Sequence, residues 1–317
     1  MTSLCVAVVQ AGSTVFDTAH TLTRAEAFLR EASARGARLV VLPEAFLGGY
    51  PKGLDFGITV GSRAPAGREL FRRYVESAVT LPGPEVDALA AWASELGIDI
   101  VAGVIERDGG TLYCSSVFIT AEDGHVATHR KLMPTAAERY LWGQGDGSGL
   151  ATVTTPYGTL GSAICWENYM PLLRTALYAR GVELWCAPTV DDREVWASTM
   201  THIALEGRCF VLSANQYLLR SQMPADVSPV QGDDPNAVLI AGGSMIVSPL
   251  GDVLAGPLRG GEGVLIATLD LDDLTRARFD LDVVGHYARP DVFTLQVDTS
   301  PRTTVAEDPG RRDHPTA

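Results

Sequence analysis

An apolar strand, a helix with a glycine stop and a second apolar strand occur in that order twice along this chain, and the repetition restricts the fold more than any other feature. Leu4 to Gln10 reads as a buried strand. Asp17 or Thr18 caps a helix running to about Arg35, Gly36 stops it, and Leu39 to Leu42 forms the next strand. The order returns as strand Leu160 to Ile164, helix Met170 to Arg180, stop Gly181 and strand Val182 to Ala187. Units of this kind join parallel strands, so an α/β fold with a parallel component is expected.

Between and beyond these units the pattern changes to hairpins. Pro84 opens a helix to Leu96, Ile98 to Ile105 is a strand, and Ala121-Glu122-Asp123-Gly124 turns one alternating run into another. Arg193 to Gly207 reads as a helix and Phe210 to Ala214 as a strand. Ser248-Pro249-Leu250-Gly251 then turns between Ser244–Val247 and Val253–Ala255. Crossovers mixed with hairpins suit two sheets packed face to face with helices outside. No linker-like composition divides residues 1–300, which read as a single domain, whereas residues 301–317 are polar, carry Pro301, Pro309 and Pro315, and read as a disordered tail.

A formal net charge of -13 with scattered basic residues argues against nucleic-acid or anionic-membrane partners and suits a small neutral substrate. No apolar run approaches the ~18 residues that cross a bilayer. The five cysteines, an odd number without a cationic, apolar leader, point to a reducing cytoplasm. Cys5, Cys114, Cys186 and Cys209 lie in or beside apolar elements and read as core residues.

Cys165 has a different setting, at the junction Gly161-Ser162-Ala163-Ile164-Cys165-Trp166-Glu167-Asn168, where a strand stops and a helix begins. Unpaired N–H groups at a helix start favour a thiolate and can hold charge building on a substrate. Glu44 follows the strand ending in Leu42-Pro43, Lys131 follows Val126 to Arg130, and Glu138 lies seven positions on. Ends of adjacent parallel strands converge on one crevice. There a thiol attacking a nitrile or amide carbon needs a base, for which Glu44 is the candidate. Lys131 and the Trp166 N–H are the matching donors for the developing negative charge, and Glu138 orients Lys131 or the substrate.

Pro43-Glu44, His129-Arg130-Lys131-Leu132-Met133-Pro134-Thr135, Glu138-Arg139 and Cys165-Trp166-Glu167-Asn168 resemble the signatures of the nitrilase branch of the carbon–nitrogen hydrolase superfamily, over about residues 4 to 298. Tyr50-Pro51-Lys52-Gly53, Trp142-Gly143-Gln144-Gly145, Ala187-Pro188-Thr189 and His202 to Gly207 agree with it in order. The resemblance implies a four-layer α-β-β-α sandwich with Cys165 as nucleophile, Glu44 as general base, Lys131 as charge stabiliser and Glu138 as accessory carboxylate. It also implies a homo-oligomer, in some members spiral, and no metal or organic cofactor. Trp166-Glu167 after the cysteine favours nitriles, with a lean toward aromatic or arylaliphatic ones. An amidase or carbamoyl hydrolase with the same four residues is the nearest alternative, and a non-catalytic binding member is another.

For the pocket itself the candidates are Trp166, Tyr50, Trp142, Trp185 and Thr189, although aromatics in a large core need no ligand. His125 and His129, four apart on strand-like chain without a third ligand nearby, read as ordinary polar residues rather than a metal site. Gly143 to Gly149 lacks the Lys-Ser/Thr pair of a phosphate cradle and reads as a loop beside the site.

Overall fold

The two strand–helix–strand units feed different sheets. A computed structural model describes residues 3–303 and 305, so the expected tail, apart from 301–303 and 305, lies outside the described residues. The first unit belongs to a six-stranded sheet in the spatial order Gly263–Asp270, Ser3–Gln10, Leu39–Val41, Asp99–Asp108, Thr111–Thr120 and Gly124–Arg130. The second lies in a seven-stranded sheet ordered Tyr217–Leu219, Val238–Val247, Phe210–Asn215, Leu184–Thr189, Gly158–Ser162 and Thr152–Thr155, with Val253–Arg259 added to Val238–Val247. The second, third and fourth strands of the first sheet, Ser3–Gln10, Leu39–Val41 and Asp99–Asp108, form a parallel set. In the second the parallel set is Gly158–Ser162, Leu184–Thr189 and Phe210–Asn215.

Strand periodicity builds the layers. Val6, Val8, Leu39, Val41 and Val101 meet Leu160, Leu184, Cys186, Phe210 and Leu212 between the sheets. Their neighbours Ala7, Val9, Val40, Ile100 and Ala102 turn to the opposite face, against Ala25 and Leu29 of helix Thr18–Ala34 and Val86 and Leu89 of helix Pro84–Leu96. On the far side Trp185, Ala187 and Val211 pack under Leu173 and Leu177 of helix Pro171–Ala179 and Trp196, Met200 and Ile203 of helix Val195–Gly207. The result is a four-layer α-β-β-α sandwich. With both faces covered, these strands carry nearly continuous apolar runs in place of alternation. Among the described residues no helix is long and apolar enough to cross a membrane.

Direction of travel sets the site. Gly124–Arg130 follows two antiparallel reversals from Asp99–Asp108, so Lys131 leaves the sheet at the same edge as the turn after Leu39–Val41. That turn carries Glu44.

Candidate active site

Glu44 is held by backbone geometry on both sides. The N–H groups of Phe46 and Leu47 donate to the Gly103 carbonyl at 2.8 and 3.2 Å, and Gln216 Nε2 donates to the Glu44 carbonyl at 2.7 Å. A Cβ on Gly103 would stand 2.2 Å from the Pro43 carbonyl oxygen and 2.6 Å from Glu44 Cα, so only glycine lets this strand pass beneath the turn.

Lys131 donates its own N–H to the Cys114 carbonyl at 2.8 Å and sends its ammonium into the interior. Nζ stands 2.7 Å from Glu44 Oε1 and 2.8 Å from Glu138 Oε2. Glu138 lies in the short 3-10 helix Ala136–Tyr140. Its Oε2 also accepts from the Thr135 N–H at 2.6 Å, and Oε1 accepts from the Tyr50 hydroxyl at 2.9 Å.

Cys165 is buried and begins a one-turn 3-10 helix, Cys165–Tyr169, while the α-helix starts only at Pro171. Its φ of 51° is in the left-handed region, which costs a residue bearing a Cβ roughly 1–2 kcal/mol. Asn168 holds the turn, its Nδ2 donating to the carbonyls of Ala163 and Cys165 at 2.8 Å each. The thiol faces Glu44 and Thr189.

The electrostatics correct the expectation of a stabilised thiolate. Burial pushes the Cys165 thiol well up, Glu44 and Glu138 add to the rise, and Lys131 and Thr189 only partly oppose it. With the α-helix starting six residues away, its N-terminus does not offset desolvation. The resting sulfur is therefore a neutral thiol that needs a base. Burial also lifts the Glu44 carboxyl above its ordinary range, Lys131 opposing this and Glu138 reinforcing it. Burial works against the Lys131 ammonium, yet the Glu44 and Glu138 carboxylates hold its pKa well above the usual lysine value. Glu44 Oε2 is buried and has no hydrogen-bond partner among the described residues.

A cavity of about 280 Å3 opens onto the sulfur, and Tyr50, Lys52, Glu138, Trp166, Val190 and Arg193 are among its walls. Trp166 is 43% exposed, its indole N–H on Asp191 Oδ2 at 2.9 Å and the Arg193 guanidinium 4.9 Å from its ring centre. The other expected pocket residues sit elsewhere. Trp142 is buried behind the site, edge-on to Tyr50 and donating to the Tyr74 hydroxyl at 3.2 Å. Thr189 is fully buried beneath the sulfur and does not reach the cavity wall. Trp185 is the plain correction. The side chain alternates to the helix face of its strand, is fully buried, and donates to Asn168 Oδ1 at 2.8 Å. Trp185→Phe removes that donor and should cost about 1–3 kcal/mol by leaving a buried carbonyl unpaired. Thermal unfolding should show the loss while KM stays at its wild-type value.

Sequence reasoning also missed a buried pair. His125 is exposed, in keeping with an ordinary polar residue, but His129 is buried, with Nε2 2.9 Å from Glu167 Oε2 and Nδ1 2.9 Å from the Gly149 carbonyl oxygen. Glu167 Oε1 also accepts from the Leu132 N–H at 2.7 Å, and Oε2 from the Ile164 N–H at 2.8 Å. Glu167 and Asn168 were within reach, since both directly continue the Cys-Trp sequence. Gln216 had no such signal, being brought to Glu44 from the junction between the strands Phe210–Asn215 and Tyr217–Leu219.

A family profile described as carbon-nitrogen hydrolase matches residues 5–279. The chain is 56% identical over 305 residues to an aliphatic nitrilase of Sinorhizobium fredii, covering 96% of this chain and 99% of that one. The chain belongs to the nitrilase branch of the carbon–nitrogen hydrolases. Another member of the branch, a bifunctional nitrilase/nitrile hydratase of Lupinus angustifolius, is 54% identical over 303 residues, with 94% of this chain and 87% of that one covered. Among solved structures, a carbon-nitrogen hydrolase of Helicobacter pylori superposes with a TM-score of 0.67 at 20% identity, over 87% of this chain and 92% of that one. At that identity the likeness speaks to the hydrolase fold alone.

Proposed function

We propose that this member of the nitrilase branch hydrolyses an organic nitrile to a carboxylic acid and ammonia, with Cys165 as nucleophile, Glu44 as base, Lys131 as charge stabiliser and Glu138 as accessory carboxylate. The observation that carries the reading is a buried thiol facing a carboxylate whose second oxygen, Glu44 Oε2, has no hydrogen-bond partner among the described residues and can take its proton. Transfer of that proton leaves the net charge of the buried group unchanged, which matters where an uncompensated charge is costly.

The chemistry then follows in balanced steps. The thiolate adds to the nitrile carbon, Lys131 and the Trp166 N–H stabilise the nitrogen that gains charge, and a proton from Glu44 gives the thioimidate. Water activated by Glu44 adds to it. If the resulting tetrahedral species breaks its carbon–nitrogen bond, ammonia leaves and a second water hydrolyses the thioester to the acid. If it breaks its carbon–sulfur bond, the product is the amide. The Trp166 indole and Val190 provide apolar wall, which supports aryl or arylaliphatic nitriles. The S. fredii relative's name, aliphatic nitrilase, supports the opposite preference.

Phenylacetonitrile, an aliphatic dinitrile and the matching amides should therefore be compared, scoring acid, amide and ammonia. Turnover of nitriles to acid is the expected result, with phenylacetonitrile preferred. Turnover confined to amides would replace the reading with an amidase using the same side chains.

A further inference from the structure

The Glu167 carboxylate collects contacts from both halves of the site. Its oxygens accept from the N–H of Leu132, the residue after Lys131, and from the N–H of Ile164, the residue before Cys165. They also accept from His129 Nε2, two residues before Lys131, at 2.9 and 3.2 Å. His129 belongs to the edge of the six-stranded sheet, and Ile164 follows a strand of the seven-stranded one. Because Gly149 O and the Glu167 carboxylate are both acceptors, both ring nitrogens of His129 must carry hydrogen, and the ring is an imidazolium.

We propose that the buried His129 imidazolium and Glu167 carboxylate form a positioning clamp that sets Lys131 and Cys165 at their working separation across the two sheets. The inference rests on the reading of Cys165 and Lys131 as reacting groups. Neither clamp residue lines the cavity, so both act through the groups they hold. The carboxylate is specified closely. Each of its oxygens accepts from a backbone N–H, so the amide of glutamine necessarily turns an NH2 toward one of these donors.

The test compares wild type, Glu167→Gln, His129→Ala and His129→Gln. The folded fraction is counted from the amplitude of a cooperative urea-unfolding transition, iodoacetamide alkylation of the Cys165 peptide in the folded protein is followed by mass spectrometry, and kcat and KM for phenylacetonitrile are expressed per folded molecule. A misplacement of about 1 Å costs roughly 10²-fold, so Glu167→Gln and His129→Ala should lose about that factor in kcat, with KM little changed. The rate of Cys165 alkylation should fall in the same variants. His129→Gln should recover part of both, because its Nε2 reaches the place of the imidazole Nε2 and donates to Glu167. A merely structural pair would lower the folded fraction and leave kcat per folded molecule at the wild-type value, which would overturn the clamp. If Glu167→Gln does not fold, the two His129 variants decide. If wild type turns over neither nitriles nor amides, the functional reading fails, and the alkylation rates alone judge the clamp: equal rates overturn it, slowed rates in Glu167→Gln and His129→Ala uphold it.

Discussion

Cys165→Ala should abolish nitrile turnover, by at least about 10⁴-fold, while leaving the protein folded. The two halves of this expectation have separate causes. Alanine keeps the Cβ that the turn already accommodates at a φ of 51°, and the contacts from Asn168 Nδ2 go to backbone carbonyls, not to the sulfur. What is lost on the stability side is one buried sulfur, comparable to a methylene at about 0.8 kcal/mol. In a chain of this size that shifts Tm by only about 1 °C. On the chemical side no neighbour can replace it. Cys114 is the other thiol near Glu44, with Sγ 3.7 Å from Oε1, but Oε1 is the oxygen already engaged by Lys131. Burial and the Glu44 charge also push the Cys114 thiol well up. Acid-quenched reactions analysed by intact-protein mass spectrometry should show a covalent adduct on wild type and none on Cys165→Ala. Turnover by the alanine variant at the wild-type rate would remove Cys165 from the mechanism.

How far this site was legible follows from what each residue's neighbours in sequence disclose. Glu44 and Cys165 end apolar runs and Lys131 follows a strand-like alternating one, and parallel topology brings such ends to one edge, so their convergence could be anticipated from strand order. The form of the sulfur could not. The sequence shows a proline-initiated helix following Cys165, but not the intervening 3-10 turn that separates the thiol from the helix start, nor the degree of burial that raises its pKa. Trp185 failed as a pocket residue for a related reason. Its strand is apolar on both faces, so periodicity alone does not tell which side chains face the helices and which face the other sheet. His129 was read as an ordinary polar residue because the two acceptors that define it, Gly149 O and Glu167, are 20 and 38 positions away. The layer order was readable because hairpin and crossover patterns are local, whereas hydrogen bonds between the sheets are not.

Lys131→Met should carry the largest stability cost of any substitution at the site. Methionine fills nearly the same space, so the effect isolates charge. Without the ammonium, the Glu44 and Glu138 carboxylates, which it now bridges at 2.7 and 2.8 Å, face each other in the interior. Breaking a buried ion pair by removing one partner costs roughly 3–5 kcal/mol. The pH dependence distinguishes this cause from a packing defect. Burial already raises the Glu44 pKa, and Lys131 is what opposes the rise, so its removal lifts the folded-state pKa further above the unfolded one. A carboxyl shifted in that direction holds its proton more tightly in the folded state. The penalty is therefore full above the folded-state pKa and shrinks as pH falls through it toward the unfolded value. Urea denaturation should show a larger gap between wild type and Lys131→Met at about pH 8 than at about pH 5.5. A gap independent of pH would assign the loss to packing. Adding Glu44→Gln removes one of the two facing charges and should recover much of the stability, since replacing both members of a buried interaction is far less costly than orphaning one. It should recover no turnover. The single variant already lacks the group that stabilises charge on the attacked nitrogen, worth about 10²–10³-fold, and the double variant also lacks the base that takes the thiol proton. Stability and activity then move in opposite directions when the second substitution is added, as expected if the same three charged side chains that burden the fold also carry the proposed reaction.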